Sequence, residues 1–341
     1  MEIRSVQVTG GSSYSLTLPK EWIKSSKIQK NDSIGIQIQP DGTLLITPKI
    51  TKDNIQKIKE FDITNVQKTS YLFRYLIAAY IAGFSTIKIN ASQRILPPFR
   101  SIIRSFTQAT IGQEIVEETD VSITLKDLIN PVEMPFDRTI KRMHIIVKGM
   151  HDDAMRALQK KDTELAKDIL YRDNEVDRLN WLIARQYNSI MQNMSLAEKM
   201  ETTIEMASTY FLISRVIERI GDHVVKMAHN IISLNNIKYD SDLISKITIA
   251  SNKSQDILSQ SIISFFRKDI NSSNENIETV EELRHLCEEI DKLSLQQQGL
   301  VAISIGNIIE SVRRIGEYAE DISEHIINYL IDEDKKIKKN S

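Results

Sequence analysis

The sequence predicts a mainly α-helical protein: two tandem three-helix bundles preceded by a small β-module and a small α/β middle domain. Three observations carry that expectation. Only 11 glycines and 7 prolines interrupt 341 residues, so the elements run long, and the Leu, Ile, Glu, Lys and Gln content favours helices. From about residue 135 onward, apolar residues recur at three- and four-residue steps, the period of an amphipathic helix. The segment IERIGDH at 217–223 returns 95 positions later as VRRIGEY at 312–318, which places a second copy of one unit behind the first.

The elements follow in order. In residues 1–50, VQVTG, YSLTLP, SIGIQIQ and TLLITP alternate apolar and polar side chains as strands do, and PDGT at 40–43 is a hairpin turn signal. Pro19 opens one short helix, KEWIKSSK. A module this small is marginal alone, since domains of roughly 60 residues or fewer bury too little surface, and it predicts a homodimer through the N-terminal domain. Residues 53–130 read as mixed α/β: a helix near 65–82 stopping at Gly83, a strand STIKIN, a helix PPFRSIIRSFTQATI ended by Gly112, and strands EIVEE and VSITL. The first bundle, 135–235, holds KRMHIIVKGMHDDAMRAL, TELAKDILYRDNEVDRLNWLIARQYNSIM and a helix from about 200 to 233. The second, 240–332, holds ITIASNKSQDILSQSIISFF, IETVEELRHLCEEIDKLSL and a helix ending near Tyr329, before a charged tail at 333–341. LQKKD precedes DNEVDRL as FRKD precedes EEIDKL, which supports the duplication.

Composition excludes several classes. A net charge of −2 gives no global attraction to nucleic acid or anionic lipid, so any such contact must be a local patch. One cysteine, Cys287, rules out an intramolecular disulfide framework and fits a reducing compartment. The start MEIRSVQVTG lacks the features of a signal peptide, and the longest apolar run, YLIAAYIAGF at 75–84, is far short of the ~20 residues that span a bilayer. A cytoplasmic protein without membrane insertion is expected.

Two pairs of carboxylates stand out. Asp173 and Asp177 are four apart on the second helix of the first bundle, and Glu218 and Asp222 are four apart on the third. Like charges so spaced share a helix face and cost roughly 0.2–0.5 kcal/mol per pair. At about 100° per residue, both pairs lie beside the apolar stripes, Leu165, Ile169, Val176, Leu179 and Ile183 on one helix and Ile213, Ile217, Ile220, Val224 and Ile231 on the other. Packed side by side, the helices would present four carboxylates to a cation, an all-oxygen site suited to Mg, Ca, Mn or iron. His229, seven residues past Asp222, would add a softer ligand. The plainer reading is a solvated acidic face, with Asp222 paired to Lys226 one turn on. Gly221 costs about 0.8–1 kcal/mol relative to alanine inside a helix, and its retention in both copies predicts that another backbone approaches closely there.

D/E-x-x-x-D motifs on two helices of a duplicated three-helix bundle, DNEVD and ERIGDH here, resemble the PhoU family over about 135–330. The resemblance implies multinuclear metal clusters on the bundle surface and a role in repressing or modulating phosphate uptake and signalling. It carries the metal ligands over to Asp173, Asp177, Glu218 and Asp222, with divalent or trivalent ions (iron, Mg, Mn, Ca or Zn) as cofactors and inorganic phosphate as a bridging ligand. The second copy departs from the pattern: Cys287 stands at the place of Asp173, Asp291 at that of Asp177, Arg313 at that of Glu218 and Glu317 at that of Asp222. A guanidinium cannot deprotonate, so Asp291 and Glu317 are expected to hold metal weakly unless Glu288, Glu289, Glu320 or Glu324 substitute.

The pattern VTGGSSYSLTLPKEWIKSSKIQKNDSIGI is similar to the SpoVT/AbrB or MazE-like fold of swapped hairpins, with Asn31-Asp32 where Gly-Asp is usual. That resemblance implies an interleaved dimer and, in many members, DNA binding. Together the two parts resemble archaeal phosphate-uptake regulators. Residues 1–52 carry seven Lys/Arg against four Asp/Glu, +3 within a chain of −2, and a dimer doubles the patch. Arg4, Lys20, Lys24 and Lys27 are the expected DNA contacts. The function expected is a DNA-binding regulator responding to phosphate status through a metal-binding bundle. The alternative is an accessory protein that restrains a phosphate transporter or kinase by contact, with no DNA involved. Enzyme chemistry is not expected: a di-iron oxidase needs Glu-x-x-His on two helices, and only Glu282 to His285 matches. No nucleophile elbow or phosphate loop accompanies Gly10-Gly11.

Overall fold

The computed structural model of the chain describes residues 2–38, 42–48, 57–193, 195–235, 237 and 239–340. It divides into two compact units, Met1–Gln56 and Lys57–Ser341.

In the first unit, β1 (Gln7–Thr9) and β2 (Ser13–Ser15) form one antiparallel hairpin. Its turn uses Gly10 and Gly11, both at positive φ (67° and 87°), where a side chain would be strained. Helix α1 (Lys20–Ser25) follows, with Pro19 as its extended N-cap rather than its first helical residue. β3 (Gly35–Ile38) and β4 (Leu44–Thr47) form a second antiparallel pair, Ile36 opposite Ile46. Pro40 and Asp41 of the expected turn lie outside the described residues. The two hairpins are separate sheets, and no described residue of this unit is buried. Val8, Tyr14, Ile36, Ile38 and Leu44 all face solvent.

The second unit begins with a four-stranded sheet in the order β5-β6-β8-β7. β5 (Ile58–Asp62) runs parallel to β6 (Thr86–Asn90), and β6, β8 (Ser122–Asp127) and β7 (Gln113–Glu118) are antiparallel neighbours. Helices α2 (Thr69–Ile81) and α3 (Pro97–Ala109) pack Leu72, Leu76, Ile103 and Phe106 onto Ile87, Ile89, Ile123 and Leu125. Gly83 (φ 82°) follows the end of α2 as the sequence predicts, whereas α3 ends at Ala109 with Thr110 already extended, ahead of the expected stop at Gly112 (φ 92°). Strand β5 is an addition to the expected elements: IKEFD has no clean alternation, and an edge strand held by β6 needs none.

The remainder is helical: α4 (Phe136–Lys160), α5 (Thr163–Gln192), a short α6 (Ser195–Lys199) and α7 (Ile204–Ser233), then α8 (Ser241–Arg267), α9 (Ile270–Ser294) and α10 (Leu300–Asn340). The repeated KKD and RKD segments are the corners of the two bundles. Lys161 (φ 57°) and Lys268 (φ 54°) end α4 and α8 in the left-handed conformation. The next residues, Asp162 and Asp269, cap α5 and α9 by accepting from Leu165 N and Ser272 N, each at 3.0 Å. Two expectations are corrected. The stretch from about 200 is broken at Glu201 (φ 51°), so α7 starts only at Ile204 under a Thr203 cap (3.1 Å to Met206 N). The last helix runs through Tyr329 to Asn340, because no glycine, proline or cap follows Gly316 to stop it.

Both bundles share one continuous apolar core, from Ile140 and Ile169 through Ile217 to Ile257, Leu283 and Ile315. The bundles abut along α4 against α8, where buried His151 Nε2 meets Ser251 Oγ at 2.8 Å and Gln255 donates to Asp152 at 2.9 Å. The sheet domain is fixed to α5. Arg185 donates to Tyr80 O (2.6 Å) and Phe84 O (3.1 Å), ion-pairs with Asp127, and stacks on Tyr80. Among the described residues, no helix is long and apolar enough to cross a membrane.

Candidate metal centre

Helices α5 and α7 pack side by side and bring the two expected carboxylate pairs into one electrostatic group. Asp173, Asp177 and Glu218 are half-buried and Asp222 is exposed. Asp177 is raised from 3.8 to about 7, first by burial and then by Asp173, Glu218 and Asp222. Asp173 is raised to about 6 by burial, then by Asp222 and Glu218. Glu218 is also raised, by burial and then by Asp222, with Arg215 and Arg219 opposing. The predicted stripes beside the pairs are buried except for half-buried Leu165, with Ile213, Ile217, Ile220 and Val224 completely so, and this desolvates their acidic neighbours.

Gly221 explains how the helices come so close. A Cβ there would meet Asp173 Oδ1 at 3.3 Å and methyls of Val147 and Val176 at 3.7 Å. The approaching groups are side chains, not the backbone expected from the sequence. In the second copy, a Cβ at Gly316 would collide with Leu283. The shared glycine thus admits a carboxylate in one bundle and a leucine in the other.

Asp173 Oδ1 is buried and has no hydrogen-bond partner among the described residues. An ionised oxygen in that position is costly unless a cation or proton satisfies it. The donor set is all oxygen, so the residues fit a hard or borderline cation. Among the described residues, no three His, Cys, Asp or Glu side chains are already drawn together closely enough to share one ion. His229 is exposed about two turns, roughly 10 Å, beyond Asp222 along α7, and it joins none of these charge interactions. Lys226 turns to His223 Nε2 (3.4 Å) rather than to Asp222.

The second bundle solves the same crowding from within. Arg313, at the place of Glu218, ion-pairs with Glu310. Arg314 reaches Glu310 at 2.9 Å and Glu317 at 3.0 Å. Arg284 donates to Glu320 at 2.6 Å and lies 3.8 Å from Glu317. Glu310 stands 95 positions after Arg215, and Arg313 95 after Glu218, so the same three-residue pair recurs with its signs exchanged. Asp291 is raised by burial while Arg313 opposes the shift. Cys287 is buried and its thiol is pushed up to about 12, mainly by that burial. Glu320 is occupied by Arg284; Glu288, Glu289 and Glu324 are exposed. Arg215 and Arg284 were missed in the sequence, although overlaying the copies exposes both: Arg215 opposite Glu310, and Arg284 opposite Leu170.

Among the expected DNA contacts, Lys20, Lys24 and Lys27 are exposed on and just after α1. Arg4 is held inside its own module by Glu2, Thr17 Oγ1 (2.9 Å) and Leu18 O (3.4 Å). Glu282 pairs with Lys253, and His285 faces Glu281 and Glu288 at the surface.

Duplicated three-helix bundles on a shared core, with a separate β-module ahead of them in the chain, define the class of protein. The PhoU domain matches this chain at residues 140–231 and again at 247–326. The chain belongs to the PhoU family. The MazE bacterial antitoxin family, described as antidote-toxin recognition, matches residues 7–53. Among solved structures, the phosphate transport system regulatory protein PhoU from Streptococcus pneumoniae is similar at 15% identity and a TM-score of 0.50, over 57% of this chain and 92% of that one. PhoU from Pseudomonas aeruginosa is similar at 19% identity and 0.50, over 58% and 95%. No match was found among curated proteins.

Proposed function

We propose that this chain is a cytoplasmic regulator of phosphate uptake whose first bundle holds a metal ion and whose N-terminal module dimerises on DNA. Membership of the PhoU family supports the regulatory part. The observation that carries the metal is the orphaned, buried Asp173 Oδ1 beside three further carboxylates. Asp173, Asp177, Glu218 and Asp222 would hold the ion, and its charge would allow them to ionise together at neutral pH. Arg215 and Arg219 on the flank of α7 keep the surroundings from being wholly acidic, which suits a bridging phosphate. Elemental analysis of the purified protein tests this: Asp177→Asn and Asp222→Asn should each lose bound metal. Unchanged content in both would overturn it.

The exposed Lys20, Lys24 and Lys27 support DNA as the target, and the bare apolar strands of the module support a second copy as the partner. A second reading has an observation of its own. Arg4 is spent on internal contacts, and dimerisation alone accounts for the exposed strands, so the module need only pair two copies that restrain a transporter or kinase by contact. DNA affinity at two salt concentrations separates the readings, because phosphate contacts give a steep salt dependence and the accessory reading gives little binding.

A further inference from the structure

Residues 63–113, which hold α2, β6 and α3, carry six Lys/Arg and no Asp or Glu, in a chain whose net charge is −2. Four of the six are met by acids from outside the segment: Lys88 by Glu60, Arg94 by Asp120, and Arg100 and Arg104 by Glu118. Lys68 and Arg74 have no acidic partner among the described residues, and neither has Lys59 of β5.

These three cations stand over aromatic rings on one side of the sheet domain. Lys59 Nζ lies 5.5 Å from the centre of the Phe61 ring, Lys68 Nζ 5.6 Å from that of Tyr71, and the Arg74 guanidinium 5.9 Å from that of Tyr71. Phe61 stacks on Tyr75 at 6.0 Å, 16° from parallel. Lys68, Tyr71 and Tyr75 follow at three- and four-residue steps, so they form one outward stripe at the start of α2, with Arg74 beside it. Strand side chains alternate between faces, so Lys59 and Phe61 share this side while Glu60 and Asp62 point away from it. Asp62 is also held by Thr64 N at 2.9 Å. The two tyrosines keep 42% and 47% of their surface exposed.

We infer that the outer side of α2 and the adjoining edge strand β5 bind single-stranded nucleic acid, with Lys59, Lys68 and Arg74 on its phosphates and its bases stacked on Tyr71 and Tyr75. Exposed rings set among cations suit a strand whose base faces are free, whereas a duplex keeps those faces inside its own stack. A lipid surface fits less well. From β5 to the end of α2 the other exposed large hydrophobic is Ile58, on the opposite face of the sheet, so no aliphatic side chain is placed to enter a bilayer beside the tyrosines. Helix α2 is also the element that Arg185 and Asn188 hold through backbone carbonyls, so a bound strand would be tied to α5, which carries Asp173 and Asp177.

Fluorescence anisotropy on the full-length protein tests the inference in a Lys20→Gln, Lys24→Gln, Lys27→Gln background, which separates it from DNA binding by the N-terminal module. The probes are labelled oligothymidine, oligouridine and a duplex of the same length, with polyphosphate as a base-free competitor and phosphatidylserine vesicles in a parallel flotation assay. The expected result is saturable binding of a single strand, of either sugar, in preference to the duplex. Tyr71→Ala and Tyr75→Ala should each weaken it roughly fivefold or more, and Tyr71→Phe and Tyr75→Phe should retain it, because stacking needs the ring and not the hydroxyl. Lys68→Gln and Arg74→Gln should flatten the salt dependence by about 0.7 log unit for each phosphate released. No saturable binding of either single strand overturns the inference. So does binding that polyphosphate displaces equally well and that loss of both rings leaves unchanged in protein of unaltered melting, or binding of the vesicles without the oligonucleotides.

Discussion

Gly221 and Gly316 occupy the same place in two copies, yet alanine should affect them differently. At Gly221 the new methyl meets the end of the Asp173 carboxylate at 3.3 Å, while helix propensity improves by up to ~1 kcal/mol. Gly221→Ala should therefore leave stability nearly unchanged and weaken metal binding, read by melting and by metal titration. At Gly316 the methyl strikes Leu283, which is fully buried. Gly316→Ala should destabilise the fold by about 1–3 kcal/mol, the scale of an overpacked core. The carboxylates give a second expectation at this scale. Asp173 and Asp177 are raised from 3.8 to about 6 and about 7, so without a cation the folded chain binds more protons than the unfolded chain between those values. Their stabilising contribution is present below the ordinary value and is lost as pH rises through the raised ones. In a chelator, Asp177→Asn should raise the melting temperature at pH above about 7 and change it little near 3.8; calorimetry at the two pH values decides.

Among the elements, α5 has two roles at successive points along one side. One flank carries Asp173 and Asp177, and further along Trp181, Arg185 and Asn188 grip the sheet domain through Phe73, Asp127 and backbone carbonyls of α2. The Arg185–Asp127 pair is nearly buried, with 7% and 10% of the side chains exposed. Removing one partner strands the other, so Arg185→Ala should cost about 3–5 kcal/mol in denaturant unfolding. The corners are a gentler test. Asp162→Ala and Asp269→Ala each remove an N-cap and should cost about 1 kcal/mol apiece, and the two effects should add because the corners belong to different bundles. Helix α5 was legible to within a residue, since Asp162 and a sustained apolar period mark it in the sequence. Strand β5 was not, because its pairing with β6 is a long-range event with no local pattern.

For the whole molecule, the N-terminal module is the part that most needs a partner. Its strands expose Ile36 and Ile38 at 64% and 73%, and an apolar face of that kind seeks cover. Ile36→Lys with Ile38→Lys in the full chain should convert a dimer to a monomer in light scattering. If the module grips DNA, replacing Lys20, Lys24 and Lys27 by Gln should flatten the salt dependence of affinity by about 0.9 log unit for every phosphate no longer neutralised.

The sequence by itself determined the helical periods, the KKD and RKD corners, and the four-residue spacing that puts two carboxylates on one face of each helix, because these depend only on neighbours along the chain. Tertiary structure alone decided that Asp173 Oδ1 is orphaned, that the second bundle closes its acids with Arg284, Arg313 and Arg314, and that α5 anchors the sheet. Desolvation and charge pairing are set by what packs against a side chain from elsewhere, and residues far apart in sequence meet only when the bundles close.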